Sequence, residues 1–93
     1  MSQRHVVIGS SVGLHARPAS LFVQAASRQP VKVTIAKLGA EPSEPVDARS
    51  ILSVLALDAR NGDEVVLAAH GEGDEAALGE LAALLERDLD AEP

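Results

Sequence analysis

The apolar positions of this chain switch between the two-residue period of a strand and the longer period of a helix, and the switches predict its elements. Arg4 to Ile8 holds a Val-Val-Ile run and reads as a first strand. Gly9-Ser10-Ser11 and Gly13 interrupt it. Ala19, Phe22, Val23 and Ala26 then recur on one face, which predicts a helix over Ala16 to Ser27 that Gln29-Pro30 ends. Pro18 suits the first turn, where backbone N–H groups have no internal partner. Val31, Val33 and Ile35 alternate with Lys32 and Thr34, the pattern of a half-buried strand over Val31 to Ala36.

Gly39, Pro42 and Pro45 make 38–45 a loop, leading to a short strand near Val46 that the prolines confine to a sheet edge. Asp47 is placed to cap a second helix, Ala48 to Leu57. Asn61-Gly62 signals a turn, and Glu64 to Ala69 reads as a strand. Gly71 and Gly73 mark a loop, and Asp74 is placed to cap a last helix striped by Leu78, Leu81, Ala82, Leu85 and Leu89. Asp88, Asp90 and Glu92 oppose the dipole at its far end and should fray it. Gly79 inside this helix has no reason visible in the sequence. The order is βαββαβα, which suggests an α+β domain with one four-stranded sheet covered by helices on a single face.

Composition narrows the choices. A length of 93 residues argues for a single domain, with an ordered core over about 4–89. Phe22 is the sole aromatic residue, so the core must be built from Ala, Val, Leu and Ile. No cysteine is present, which removes disulfides, thiolate metal sites and a cysteine nucleophile. His5, His15 and His70 lack metal-ligand spacing, so neither a metal nor a cofactor is expected. A net charge of −6 and the lack of stacking aromatics argue against nucleic-acid binding. No segment is long and apolar enough to span a bilayer, and Met-Ser-Gln-Arg-His is not a signal peptide. The expectation is a cytoplasmic monomer.

The candidate chemistry lies in Gly13-Leu-His-Ala-Arg-Pro-Ala-Ser20. A lone histidine is ordinarily a cap or a packing residue. His15, however, falls where a helix begins, and that end of a helix offers unpaired N–H groups and partial positive charge to an anion. An imidazole is a competent nucleophile, and the phosphate it would acquire is stabilised by the same helix end. Arg17 would be a solvated surface residue elsewhere; beside His15 its five-donor fork can close on phosphoryl oxygens or a partner's carboxylate. Ser50 falls in the first turn of the second helix, where a phosphate is tolerated and would alter docking. Ile51, Leu52 and Leu55 cannot all face the core together with Val54 and Leu57. Either the helix is covered on several sides or it presents an apolar patch to partner proteins.

The Gly13–Ser20 segment resembles the active-site signature of the HPr family of phosphocarrier proteins, part of the phosphoenolpyruvate-dependent sugar phosphotransferase system. Ala48-Arg49-Ser50-Ile51-Leu52 resembles that family's regulatory-serine segment, and the similarity runs from about Arg4 to Leu89. The resemblance implies an open-faced β-sandwich, a four-stranded antiparallel sheet with three helices on one side. It implies that His15 accepts a phosphoryl group on Nδ1 from phosphorylated enzyme I and passes it to enzyme IIA domains, with Arg17 neutralising the phosphate. Such a protein is a relay with a phosphohistidine intermediate rather than a stand-alone enzyme. Ser50 would be a kinase site, and Ala16, Ser20, Ile51, Leu52 and Leu55 would face partners. Those partners would include a serine kinase/phosphorylase and a transcriptional regulator.

Three positions depart from the family pattern. Val12 replaces a small polar residue, Asp58 stands where glycine is common after the second helix, and the 38–45 connection is longer than a tight hairpin. Two other classes compete. A regulatory binding module would use Ser50 and treat His15 as secondary. An acyl-carrier-like module would need an Asp-Ser-Leu motif, which Ala-Arg-Ser-Ile does not supply.

Overall fold

The computed structural model describes residues 2–39 and 42–87. Its elements are β1 (Ser2–Val7), α1 (Ala16–Ser27), β2 (Val33–Lys37), β3 (Val46–Asp47), α2 (Ile51–Ala56), β4 (Glu64–Ala69) and α3 (Asp74–Glu86). The strands form one sheet in the order β1-β4-β2-β3, with every pairing antiparallel. The expected βαββαβα order and four-stranded antiparallel sheet are therefore present, and β3 is the short edge strand.

Alternation sets which face of the sheet is covered. Val6 pairs with Val65, Ile35 with Leu67 and Val33 with Ala69, and all six side chains are buried. α3 lies across β1 and β4 and against α1, while α1 also packs on α2. Ala77, Leu78, Leu81, Ala82 and Leu85 are the buried stripe of α3. Pro18, Ala19, Phe22, Ala25 and Ala26 are buried in α1. Phe22, fully buried, is the largest side chain in the core.

Several boundaries differ from those the sequence predicts. β1 spans Ser2–Val7 rather than Arg4 to Ile8, because its ladder with β4 runs from Ser2↔Ala69 to Val7↔Glu64. β2 starts at Val33, not Val31, because β4 ends opposite it at Ala69 and Gly71, at φ +109°, turns the chain away. α2 does not begin at Ala48, and Asp47 is not its cap. Asp47 belongs to β3, opposite Thr34, and the Ala48 N–H donates to the Val33 carbonyl. The Asp47 carboxylate accepts instead from the Arg49 N–H, so the chain is still held to the sheet where a helix would start. Gly73, at φ +89°, precedes α3 and takes the cap position expected for Asp74. Asp74 opens the helix and accepts from the Ser2 hydroxyl. Leu89, Asp88, Asp90 and Glu92 lie outside the described residues.

The long 38–45 connection is closed at its base. The Ser43 N–H donates to the Lys37 carbonyl, and the Ser43 hydroxyl accepts from the Lys37 N–H.

Two glycines in contact regions differ in what they require. A Cβ at Gly9 would run into the backbone carbonyl of Glu86, at the point where the Gly9 N–H donates to the Leu85 carbonyl. A Cβ at Gly79 would meet only the Arg4 guanidinium, at an ordinary 3.7 Å. In denaturant melts, Gly9→Ala is therefore expected to lose on the order of 2 kcal/mol or more through overpacking against backbone. Gly79→Ala is expected to gain about 0.5–1 kcal/mol through helix propensity.

Candidate functional site

His15 is the N-cap residue of α1, with extended backbone at φ −131° and ψ 169°. No side chain caps this helix, and no acidic residue occupies its first turn. The positive end of α1 therefore has neither a side-chain cap nor an acid of its own first turn. Ala16, next along, has φ +47°, a left-handed value that disfavours a side chain with a Cβ. Such strain costs of order 1–3 kcal/mol and persists where surrounding contacts over-determine the backbone.

Those contacts come from the α2–β4 connection. The Leu14 N–H donates to the Ala59 carbonyl at 2.7 Å, and the Leu14 side chain is buried. Gly13 has φ +75°, and a Cβ there would lie 2.6 Å from the same Ala59 carbonyl oxygen. The Gly62 N–H donates to the Ile8 carbonyl, and the Asn61 amide reaches the carbonyls of Gly9 and Ser10. The loop before His15 is thus held by backbone bonds and by Asn61. Val12 is half exposed and adds no polar side chain to this support.

This docking brings Asp58 to His15. The Asp58 Oδ1 lies 3.1 Å from His15 Nε2, and its Oδ2 accepts from Arg60 Nη2 at 3.0 Å. The Asp58 carbonyl accepts from Lys37 Nζ at 3.3 Å, and its N–H donates to the Leu55 carbonyl. Lys37 also pairs with Asp63 at 3.6 Å. The Arg60 guanidinium, and after it the His15 ring, hold the Asp58 carboxyl below the usual carboxylate range. Arg60 is raised in turn by the Asp58 carboxylate. A downward shift leaves Asp58 ionised at neutral pH. The contact is intact above the usual carboxylate range and is lost only as pH falls through the depressed value.

Asp58 follows the C-cap of α2 and has φ +51°, where glycine would be free of strain. The sequence marked it only as a departure from a glycine. Its meeting with His15 joins residues 43 apart in the chain, and no local pattern signals it.

Arg17 is exposed on the first turn of α1 and has no ion pair among the described residues. Ser20, half-buried on the same helix, accepts from the Gln24 side chain. Ser50 is not in the first turn of α2 but is its N-cap, with the hydroxyl accepting from the Ser53 N–H at 3.3 Å. Val54 and Leu57 are buried and Leu55 packs partly on the core. Leu52 is 79 % exposed and Ile51 39 %, so α2 is not covered on all sides. His5 is exposed on β1 with Nδ1 3.6 Å from Glu64, and His70 is exposed after β4. Among the described residues no cluster could hold a metal ion, and no helix is long and apolar enough to cross a membrane.

The geometry has matches among known proteins. A family model described as PTS HPr component phosphorylation site covers residues 2–87. The chain is 50% identical over 93 residues to phosphocarrier protein HPr of Streptomyces coelicolor, covering 100% of this chain and 97% of that protein. It is 39% identical to the HPr-like protein Crh of Bacillus subtilis, covering 96% of this chain and 100% of Crh. Among solved structures, HPr-C-His from Thermoanaerobacter tengcongensis superposes with a TM-score of 0.85 at 33% identity, covering 100% of both chains. The uncapped helix start at His15 thus stands within a chain that matches one family almost from end to end, and this protein belongs to the HPr family of phosphocarrier proteins of the phosphotransferase system.

Proposed function

We propose that His15 accepts a phosphoryl group on Nδ1 from phosphorylated enzyme I and hands it to enzyme IIA domains, in the cytoplasm and as a monomer. One observation carries this reading: His15 stands at the uncapped start of α1 with Nε2 engaged by Asp58 and Nδ1 without a partner among the described residues. A nucleophile in that position meets an incoming phosphoryl group beside free N–H groups and the positive helix end. Arg17, exposed in the same first turn, supplies bidentate donors for the phosphoryl oxygens or for a partner's carboxylate. The exposed faces of Ile51 and Leu52, with Ala16, Ser20 and the outer part of Leu55, form the surface on which both partners dock. Leu52 is the strongest element of that patch because so much of an apolar side chain faces solvent.

A second, regulatory role is favoured by Ser50. Its hydroxyl already lies at the N-cap of α2, where a phosphate is compatible with the helix dipole, and Ile51 and Leu52 follow immediately. Modification by a serine kinase/phosphorylase would place about two negative charges beside the docking patch. Binding to enzyme I would weaken, and recognition by a transcriptional regulator would become available. Intact-mass analysis of protein isolated from its host separates phosphorylation at Ser50 from phosphorylation at His15 after acid treatment, since only the histidine adduct is acid-labile.

With phosphoenolpyruvate and enzyme I supplied, the protein is expected to carry an acid-labile, base-stable label that His15→Ala abolishes. Labelling of His15→Ala to the wild-type level would overturn the assignment. Arg17→Ala is expected to slow transfer about 10-fold or more, the scale of one charge-assisted interaction, as measured by rapid-quench labelling. Arg17→Lys should restore only part of the rate, since lysine lacks the planar fork.

A further inference from the structure

Asp58 enters the proposed function only as the partner of His15 Nε2, with no role of its own in the transfer. Its φ of +51° is a conformation that glycine adopts without penalty, so the backbone alone gives no reason for an aspartate. Every polar group of the residue is nonetheless engaged. The N–H donates to Leu55, the carbonyl accepts from Lys37, and one carboxylate oxygen faces Arg60 while the other faces His15 Nε2. The carboxylate is therefore held in place from both ends rather than swinging on the surface.

We infer that Asp58 is a positioning residue for phosphoryl transfer: its carboxylate fixes the proton of His15 on Nε2 and so presents Nδ1 as the nucleophile. This inference rests on His15 being the phosphoryl acceptor. An ionised carboxylate is an acceptor only, so the imidazole nitrogen facing it must be the donor. The neutral ring then has its lone pair on Nδ1. In the transfer, that lone pair forms the N–P bond, and the donor's bond to phosphorus breaks with its electron pair returning to the donor. The Nε2 proton stays where it is, and the ring becomes a phosphorylated imidazolium facing a carboxylate. In onward transfer the N–P electron pair returns to Nδ1 and the ring is neutral again. Asp58 thus balances a charge that exists only while the phosphoryl group is carried. Arg60, on the far oxygen, offsets the repulsion that an unpaired carboxylate would exert on the arriving phosphate.

Two variants separate hydrogen bond from charge. Asp58→Gly removes the acceptor and suits the left-handed backbone, so the fold is kept. Asp58→Asn keeps an oxygen acceptor but removes the charge, and asparagine also tolerates this backbone. Ring-nitrogen NMR of the unphosphorylated protein is expected to show a protected Nε2–H in the wild type and in Asp58→Asn, lost to solvent exchange in Asp58→Gly. This measurement does not require enzyme I, so it stands or falls separately from the phosphocarrier reading. In transfer from phosphorylated enzyme I, Asp58→Asn is expected to lower the maximal rate constant about threefold, the scale of an exposed ion pair, at unchanged half-saturation. Asp58→Gly is expected to lower it further. A protected Nε2–H that survives in Asp58→Gly would overturn the inference, as would wild-type transfer rates in both variants. A wild type that takes no label at His15 would instead remove the reading on which the inference rests.

Discussion

The hydrogen bond from the Leu14 N–H to the Ala59 carbonyl, at 2.7 Å, joins the two connections that make the site. One carries His15 to the start of α1, and the other carries Asp58 and Arg60 from α2 to β4. Leu14 reinforces the joint by burying its side chain, and Gly13 permits it because no Cβ would fit against the same carbonyl. Asn61 adds bonds to successive carbonyls on the other side. The sheet places the joint, since β1 and β4 are neighbours and their connections leave from the same end. A half-exposed histidine is thereby given a fixed backbone.

The electrostatics of the site run against those of the chain. A protein with net charge −6 repels anions at long range. Around His15 the balance is local and different: Arg17 and the uncapped end of α1 are positive, Arg60 pairs with the Asp58 carboxylate, and Lys37 bonds the Asp58 carbonyl and pairs with Asp63. Short-range donors decide whether a phosphoryl group is held, while the acidic remainder keeps the chain from adhering to other polyanions.

The parts of the fold carried by local periodicity were legible in the sequence. The bounds of α1, Ala16–Ser27, follow from its apolar face and Pro18. The edge position of β3 follows from the prolines before it. Where two residues of similar chemistry competed, local pattern could not choose. Asp47 and Ser50 are both good caps, and the ladder bond from Ala48 to Val33, a long-range interaction, decided for Ser50. The same limit applies to the site. His15 and Arg17 share one motif and were visible as a pair, whereas Asp58 acquires meaning only when two loops meet. Val12 brings no polar side chain to the imidazole, and the group that meets the ring, Asp58, comes from the other connection.

The core carries a practical consequence through Phe22, fully buried and the sole aromatic residue in a chain without tryptophan or tyrosine. The protein has no strong near-ultraviolet chromophore, so its concentration is invisible to absorbance at the usual wavelength and its unfolding produces no tryptophan emission. The same silence is an opportunity at the surface. A tryptophan introduced in place of Leu52 would be the only fluorophore in the molecule, and on the proposed docking surface its emission would respond to a bound partner without any background from the core.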